Sequence, residues 1–298
     1  MEPALNLVKN VIPGFRMKLS GIYPDHEIRQ FVFMLFEEYL GWTKPMVHLY
    51  PDTEIPEPVI GSLHRALDEL ITGKPIQYIL GKSWFNGTLL KVDGNVLIPR
   101  PETEELCSMI KADLSGEQNR RLSILDIGTG SGCIAIDLKK YFTHSEVTAI
   151  DNSKGALKVA GENAVQNNCE IAFIHSDALS EANWKKLGTY HIIVSNPPYV
   201  TELERKQMHL NVTGFEPEKA LFVSDNDPLM FYKTIAGFAV SHLKPRARLY
   251  FEINERYGKE VAGFVSALGY EEVRVLPDFH GKERFLTAVM KSRYISQE

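Results

Sequence analysis

The chain has 298 residues, a formal net charge of −5 at pH 7 and a hydrophobic fraction of 44%. This length and apolar content are sufficient for one large folded domain and a smaller one. The acidic balance, without a block rich in lysine and arginine, argues against strong phosphate-driven binding to nucleic acid, although it leaves room for a local basic patch. We therefore expect no direct nucleic-acid partner.

The apolar runs and cysteines indicate neither membrane insertion nor an oxidising compartment. The start, Met1–Asn6, has no basic segment followed by an apolar core, so we expect no signal peptide. The apolar run at residues 31–36 is too short to span a bilayer. The three isolated cysteines form neither an even set nor a metal-ligand spacing. We expect a cytoplasmic protein with no membrane partner and no metal site.

The first 80 residues follow helical periodicity. Apolar residues recur with helical spacing over residues 25–40 and 57–72, which predicts two amphipathic helices. An earlier helix over about residues 3–18 is predicted to be interrupted by Pro13-Gly14. Residues 1–80 are therefore predicted to form a small helical domain.

Residues 81–100 are predicted to form a β-hairpin that links the helical domain to the remainder, residues 101–298. We place its turn at Asp93-Gly94, between strands at 89–92 and 96–98, because Asp-Gly is a preferred hairpin turn.

From Arg121 onward, predicted strands and helices alternate. This alternation is typical of an α/β fold with a mostly parallel sheet and helices on both faces. The last two strands, near residues 272–276 and 284–290, are close enough in sequence to pair antiparallel. Residues 200–224 lack a clear core pattern, and a stretch of that length beside a site is often a lid.

A glycine-rich loop follows the predicted strand Ser123–Ile127 and precedes a helix that begins at Cys133. Its glycines allow the backbone to approach a ligand without Cβ clashes. The spacing is G-x-G-x-G, and Cys133 occupies the position of the third glycine in the dinucleotide fingerprint, so a dehydrogenase is only a minor alternative. The candidate cofactor-binding residues of this loop are Asp126, Gly128, Thr129, Gly130, Ser131 and Gly132.

The next two strands also end in polar residues. Asp151 closes an apolar strand at a position where a carboxylate can accept hydrogen bonds from two ribose hydroxyls. Its alternative role is the N-cap of the following helix, which Asn152 or Ser153 could supply equally well. Asp177, with Ala178 beside it, could accept the exocyclic amine of an adenine, or serve only as a turn residue.

The tetrad Asn196-Pro197-Pro198-Tyr199 follows the apolar run Ile192–Ser195. Two consecutive prolines fix two φ angles, remove two backbone donors and prevent the strand from continuing. A polar amide is thereby presented rigidly at the carboxyl end of a strand, which is the edge where open α/β sheets bind ligands.

These features together resemble a class I S-adenosylmethionine (SAM) methyltransferase that methylates a planar nitrogen. The stretches Gln77–Gly81, Phe85–Gly87 and Leu97–Leu106 narrow the resemblance to the HemK/PrmC family of protein-(glutamine-N5) methyltransferases, in the branch that acts on peptide chain release factors. Further matches are Gly214-Phe215-Glu216-Pro217, Phe251-Glu252-Ile253 and Asp278–Arg284. The chain departs from the family pattern at Asn254 and at Asp227-Pro228-Leu229, which leaves the proposed chemistry untouched.

The resemblance implies a Rossmann-like, mostly parallel seven-stranded sheet and SAM as cofactor. It implies that the helical domain grips the protein substrate, a class I peptide chain release factor, and that the reaction methylates the glutamine of a Gly-Gly-Gln loop. Asn196, Pro197 and Tyr199 are the expected catalytic residues. Asn196 is also an expected cofactor contact, and the expected substrate-binding residues are Asn196, Pro197, Pro198, Tyr199 and Glu216. Arg100 and Glu104 are expected near the site by the family pattern alone, whereas Glu252 ends an apolar strand and is expected at the ligand edge on that ground. We expect a monomer.

The chemistry of a primary amide fits these residues. Its nitrogen is a poor nucleophile because the lone pair is delocalised, so an enzyme must orient it. If the Asn196 side-chain oxygen and the Pro197 carbonyl each accept one N–H, the nitrogen is directed toward the methyl group. Tyr199 would then pack against the amide or the cofactor.

Three other functions remain open from the sequence. A sister enzyme could methylate a glutamine of a large-subunit ribosomal protein. An adenine-N6 nucleic-acid methyltransferase presents the same nitrogen problem, but it needs a basic surface for the strand. A SAM-binding adaptor would use the Asn196 loop only to shape its pocket.

Overall fold

The computed structural model describes residues 5–206, 208 and 210–292, which divide into two compact units. The first unit comprises the described residues within Met1–Gly81 and His209–Phe215, and the second comprises those within Lys82–Met208 and Glu216–Glu298. The segment around residue 210 thus groups with the first unit, whereas the sequence placed it in the domain of residues 101–298.

The first unit is helical and encloses its own core. Its helices are α1 (Val8–Leu19), α2 (Asp25–Leu40), α3 (Lys44–Leu49), α4 (Glu57–Ile71) and α5 (Ile76–Leu80). The two predicted amphipathic helices are confirmed as α2 and α4. Pro13 does not interrupt α1, because the burial of Val11, Phe15 and Leu19 on one face holds the helix together across it. The predicted start of this helix at residue 3 lies outside the described residues.

The second unit begins with a hairpin that the sequence placed incorrectly. Strands β1 (Lys82–Phe85) and β2 (Thr88–Lys91) pair antiparallel across Asn86-Gly87. Both turn residues have positive φ, 45° at Asn86 and 72° at Gly87, as a tight two-residue turn requires. Asp93-Gly94 lies in the loop after β2, and residues 96–98 form no strand.

A seven-stranded sheet forms the centre of the second unit, and the predicted α/β fold class is confirmed. The strand order is β10-β11-β9-β6-β3-β4-β5, with β11 antiparallel to its two neighbours and the other pairings parallel. The strands are β3 (Ser123–Ile127), β4 (Glu146–Asp151), β5 (Ala172–His175), β6 (Tyr190–Ser195), β7 (Val200–Thr201), β8 (Phe222–Val223), β9 (Leu243–Glu252), β10 (Tyr270–Pro277) and β11 (Glu283–Met290), of which β7 and β8 form a separate pair.

Helices cover both faces of this sheet because its central strands are apolar on both sides. On β3, Ile124 joins the core beneath one layer of helices, and Leu125 joins the core beneath the other. The remaining helices of the second unit are α6 (Pro101–Asp113), α7 (Cys133–Tyr141), α8 (Lys154–Gln166), α9 (Glu181–Trp184), α10 (Glu202–Arg205), α12 (Glu218–Leu221), α13 (Met230–His242) and α14 (Gly258–Ala267), whereas α11 (Leu210–Thr213) belongs to the first unit. None of the helices in the described residues is both long and apolar enough to cross a membrane.

Candidate functional site

A cavity of about 450 Å³ opens at the carboxyl ends of β3, β4, β5 and β6. Its volume lies within the range of small-molecule sites, and its location is the edge where open α/β sheets bind ligands. Of the residues singled out from the sequence, those that line the cavity are Arg100, Gly128, Thr129, Gly130, Ser131, Asp151, Asp177, Ala178, Asn196, Pro197 and Pro198.

The glycine loop turns sharply between β3 and α7. Gly128, Gly130 and Gly132 all have positive φ, between 54° and 82°, which side chains with a Cβ rarely adopt. A Cβ on Gly130 would meet no atom within 4 Å, so the backbone itself forms this wall of the cavity. Gly132 does not line the cavity but packs against Ala160 of α8. The loop thus combines an open backbone wall with a close helix contact.

Asp151 supports the loop from the end of β4. Its Oδ2 accepts the Gly130 N–H at 2.9 Å, and its Oδ1 accepts the Ser153 N–H at 2.8 Å. Burial raises the pKa of Asp151. The cap role left open for Asp151 is filled by Ser153, whose Oγ accepts the Ala156 N–H. The Asp151 carboxylate therefore lines the cavity with lone pairs to spare.

Asp177 lies at the far side of the same edge, after β5. Its Oδ1 accepts the Leu179 N–H at 2.9 Å, so the residue makes the turn contact that the sequence left open. It is also exposed and lines the cavity, together with Ala178. Asp177 can therefore stabilise its turn and still accept a hydrogen bond from a ligand.

Asp126, at the foot of the loop, is fully buried and does not line the cavity. The Thr129 hydroxyl donates to its Oδ2 at 2.6 Å, whereas its Oδ1 has no hydrogen-bond partner among the described residues. Burial raises the pKa of Asp126 to about 7. A carboxyl group in this position is costly to ionise.

The Asn196 loop follows β6, between the ends of β3 and β9. The Ser195 hydroxyl donates to the Ile127 carbonyl at 2.7 Å, which ties the end of β6 to the start of the glycine loop. The Asn196 carbonyl lies so close to Gly128 that a Cβ there would be 4.0 Å from it. The two loops predicted from separate motifs therefore meet in one cavity.

The Asn196 side chain is held from behind by a chain of hydrogen bonds. Its Nδ2 donates to the Thr103 hydroxyl oxygen at 3.1 Å, and that hydroxyl donates to Glu252 Oε2 at 2.7 Å. The Tyr199 hydroxyl donates to Glu252 Oε1 at 3.0 Å. Burial raises the pKa of Glu252, whereas the two donated hydrogen bonds act in the opposite direction. Tyr199 thus faces Glu252 and the core and does not line the cavity.

Glu216 is placed beside the cavity and not in its wall. Its side chain is 1% exposed, and its carboxylate accepts from the Arg100 guanidinium at 2.6 Å and from the Ile98 N–H at 3.2 Å. The contacts anchor the segment after Glu216, whose residues Pro217–Ala220 line the cavity. Glu216 therefore contributes to the site through loop placement.

Sequence reasoning missed several residues of the cavity. Thr103 stood within a motif that carried the family resemblance, but nothing in the motif indicates a contact with Asn196, 93 residues away. Phe231 and Ile235 of α13 also line the cavity. Their apolar pattern is that of any core helix, so no local signal could have identified them.

Comparison with known proteins assigns a family to this fold and cavity. The family described as PrmC N-terminal domain matches residues 23–81, and the family described as Methyltransferase small domain matches residues 104–213. The release factor glutamine methyltransferase of Flavobacterium psychrophilum is 41% identical over 94% of this chain and 98% of its own length. That of Bacteroides thetaiotaomicron is 41% identical over 92% of this chain and 96% of its own length.

A solved structure agrees on the fold. The hMettl16 catalytic domain in complex with MAT2A 3'UTR hairpin 6 aligns with a TM-score of 0.51, covers 80% of this chain and 84% of its own, and is 15% identical. At that identity the likeness shows a shared fold alone. The two sequence relatives, each aligned over more than nine-tenths of its own length, show more: the chain belongs to the family of release factor glutamine methyltransferases.

Proposed function

We propose that this protein transfers a methyl group from SAM to the side-chain N5 of the glutamine in the Gly-Gly-Gln motif of class I peptide chain release factors, and so acts on translation termination. The observation that carries the proposal is the position of Asn196, which lies in the same cavity as the glycine loop and Asp151. The names of the relatives support the choice of substrate.

The residues of the cavity fit SAM. Backbone without Cβ atoms at Gly128 and Gly130 leaves room for a ligand against the loop. The Asp151 carboxylate can accept from two ribose hydroxyls while it holds the Gly130 N–H, and Asp177 can accept an adenine amine. Ile150 and Ile235 supply apolar wall for a flat ring. When bound, SAM supplies a methyl group already activated on a sulfonium.

The remaining steps belong to the chain itself. Asn196 Oδ1 and the Pro197 carbonyl each accept one N–H of the substrate amide, which directs its nitrogen at the methyl group and localises its lone pair. The nitrogen forms a bond to the methyl carbon while the carbon–sulfur bond breaks and its electron pair stays on the sulfur, and the nitrogen then loses one proton to these acceptors or to water. No basic side chain is required. Pro198 stiffens the loop, and Tyr199 acts from behind it through Glu252.

The protein substrate requires a second surface. We propose that the helical residues 1–80 hold the release factor, that residues 81–100 link them to the methyltransferase part, and that residues 101–298 carry out the transfer. The match of residues 23–81 to the PrmC N-terminal domain supports this division. We also propose that the protein acts as a cytoplasmic monomer.

An Asn196→Ala variant tests the catalytic assignment. We expect methyl transfer to a purified class I release factor to be abolished, with SAM binding by calorimetry retained, because the alanine removes the acceptor and leaves the loop backbone. An adaptor would behave differently. Loss of release-factor binding with unchanged turnover in this variant would contradict the catalytic role.

A further inference from the structure

The two ends of an asparagine amide have the same size and opposite hydrogen-bonding character. Which end faces the cavity decides whether Asn196 can capture a substrate that brings two N–H donors. The structure places Nδ2 of Asn196 against Thr103, at 3.1 Å from its hydroxyl oxygen, so the substrate-facing end is Oδ1.

The orientation is set by Glu252, which is linked to Asn196 through the Thr103 hydroxyl. A threonine hydroxyl has one proton, and that of Thr103 is donated to Glu252 Oε2 at 2.7 Å. The Thr103 oxygen is therefore left as an acceptor toward Asn196. Both oxygens of Glu252 act as acceptors, because Oε1 accepts a second hydrogen bond, from the Tyr199 hydroxyl, at 3.0 Å. The directions of the hydrogen bonds that link Asn196, Thr103 and Tyr199 to Glu252 therefore follow from Glu252.

These hydrogen bonds join three separate elements of the second unit. Thr103 lies in the first turn of α6, Asn196 follows β6, and Glu252 is the last residue of β9. Thr103 is 3% exposed and Glu252 is 1% exposed, so water does not compete for these hydrogen bonds. A buried network of this kind is rigid when every member is satisfied.

We propose that Thr103 and Glu252 are positioning residues that fix the Asn196 amide with Oδ1 toward the substrate nitrogen. The inference rests on the proposed function, in which that oxygen accepts a substrate N–H. A flipped Asn196 would present N–H groups to the N–H groups of the substrate. The substrate nitrogen would then lose one of the two hydrogen-bond acceptors that orient it.

Substitutions of Thr103 test the inference without a change of charge. In Thr103→Val the shape is kept and the hydroxyl is lost, so we expect kcat to fall by about 10²-fold, the effect of a misplaced reacting group. The Kd for SAM should remain within about twofold of wild type, which is about 0.4 kcal/mol. Thr103→Ser keeps the hydroxyl and should restore most of the lost kcat, which a purely structural role would not require.

Two further variants complete the design. Glu252→Gln replaces an obligatory acceptor by an amide that can donate or accept, so kcat should fall while the Asn196 loop keeps its neighbours. Thr287→Val is the matched control, because Thr287 is equally buried and its hydroxyl has no partner among the described residues. Its kcat should equal that of wild type. Full kcat in Thr103→Val or in Glu252→Gln, or no rescue by serine, would overturn the proposal.

A second measurement does not depend on the release factor. In protein labelled with ¹⁵N at asparagine, the Asn196 side-chain amide signals, assigned by their loss in Asn196→Asp, should shift in Thr103→Val and remain in place in Thr287→Val. Unchanged signals in Thr103→Val would overturn the proposal that Thr103 positions the Asn196 amide. If the signals shift as expected but the wild-type protein methylates no release factor, the proposed function is contradicted. The positioning of the Asn196 amide by Thr103 is then still supported.

Discussion

Asp126 is the residue of the candidate site whose charge is most costly to bury. It is 0% exposed, its Oδ1 has no hydrogen-bond partner among the described residues, and it lies beside the glycine loop. A carboxyl group in such surroundings destabilises the fold when it ionises, and proteins retain such groups mainly at functional positions. We therefore predict that Asp126 is retained for its contact with the glycine loop and not for stability.

Substitution of Asp126 by asparagine should change the pH dependence of stability. Below pH about 4 the group is protonated in both folded and unfolded chains. Between pH about 4 and the folded pKa of about 7, the unfolded chain releases the proton first, so the wild type loses stability as pH rises. The advantage of Asp126→Asn should therefore grow by about 1.4 kcal/mol per pH unit within that window and level off above it.

Chemical denaturation of both proteins between pH 5 and 8 measures this difference. A constant offset is expected from the altered contact with Thr129, so the slope is the relevant quantity. If the difference in the free energy of unfolding between the two proteins stays the same from pH 5 to pH 8, the raised pKa of Asp126 in the folded protein is contradicted.

Asp151→Asn should weaken SAM binding. The asparagine retains one acceptor oxygen and loses the charge, so a charge-assisted hydrogen bond to the ligand is lost, at about 1.5–3 kcal/mol. That corresponds to an increase in Kd of about 10- to 150-fold, measured by calorimetry. Glu146→Gln, an exposed carboxylate at the opposite end of the same strand, is the control. Equal affinities of Asp151→Asn and wild type would exclude Asp151 from the ligand contacts.

At the scale of elements, the glycine loop shows how backbone conformation and packing meet. Gly132 has φ +82° and precedes α7, and a Cβ there would be 3.2 Å from the Ala160 Cβ. Both the left-handed conformation and the contact with α8 therefore favour glycine. The sequence identified the loop correctly because glycine is the one residue that satisfies both requirements.

Gly132→Ala should destabilise the protein by about 1–2 kcal/mol from the backbone conformation alone, and by more where Ala160 cannot yield. Gly161→Ala is the matched control on the neighbouring helix. A Cβ at Gly161 meets nothing within 4 Å, and the helical position favours alanine by about 0.5–1 kcal/mol. Denaturation midpoints should therefore move in opposite directions. The same direction in both variants would contradict this account of the loop.

The hairpin shows where a local pattern misleads. Asp93-Gly94 and Asn86-Gly87 are both preferred turn pairs, and the sequence offers apolar residues on either side of each. The structure uses Asn86-Gly87, where β1 and β2 are four residues each and pair in full register. The choice depends on packing of Phe85 and Leu90 into the sheet's core, which no local signal reveals.

At the scale of the whole molecule, each unit buries its own hydrophobic core. A ligand that binds the cavity at 100 times its Kd should stabilise the unit that contains it by about 2.7 kcal/mol. Hydrogen exchange with and without SAM should therefore show new protection in β3, β4 and β6, and none in α1, α2 and α4. Protection concentrated in the helices of the first unit would place the ligand elsewhere.

The sequence predicted the parallel sheet and the loops at the carboxyl ends of β3, β4, β5 and β6 because each motif is local. A strand followed by glycines, or by Asn196-Pro197-Pro198, can be read from consecutive residues. It did not predict the contacts of Glu216 with Arg100 or of Thr103 with Glu252, which join residues more than 100 positions apart. Such pairings depend on the tertiary fold, so only the structure could assign them.

The most direct measurement of the central claim is peptide mass mapping after incubation with labelled SAM. The acceptors are a class I release factor, its variant with the Gly-Gly-Gln glutamine replaced by alanine, the large-subunit ribosomal protein and adenine-containing DNA, each tested separately. We expect label on the glutamine side chain of the release factor and none on the other three. Label on ribosomal protein or DNA alone, or on no acceptor, would contradict the account.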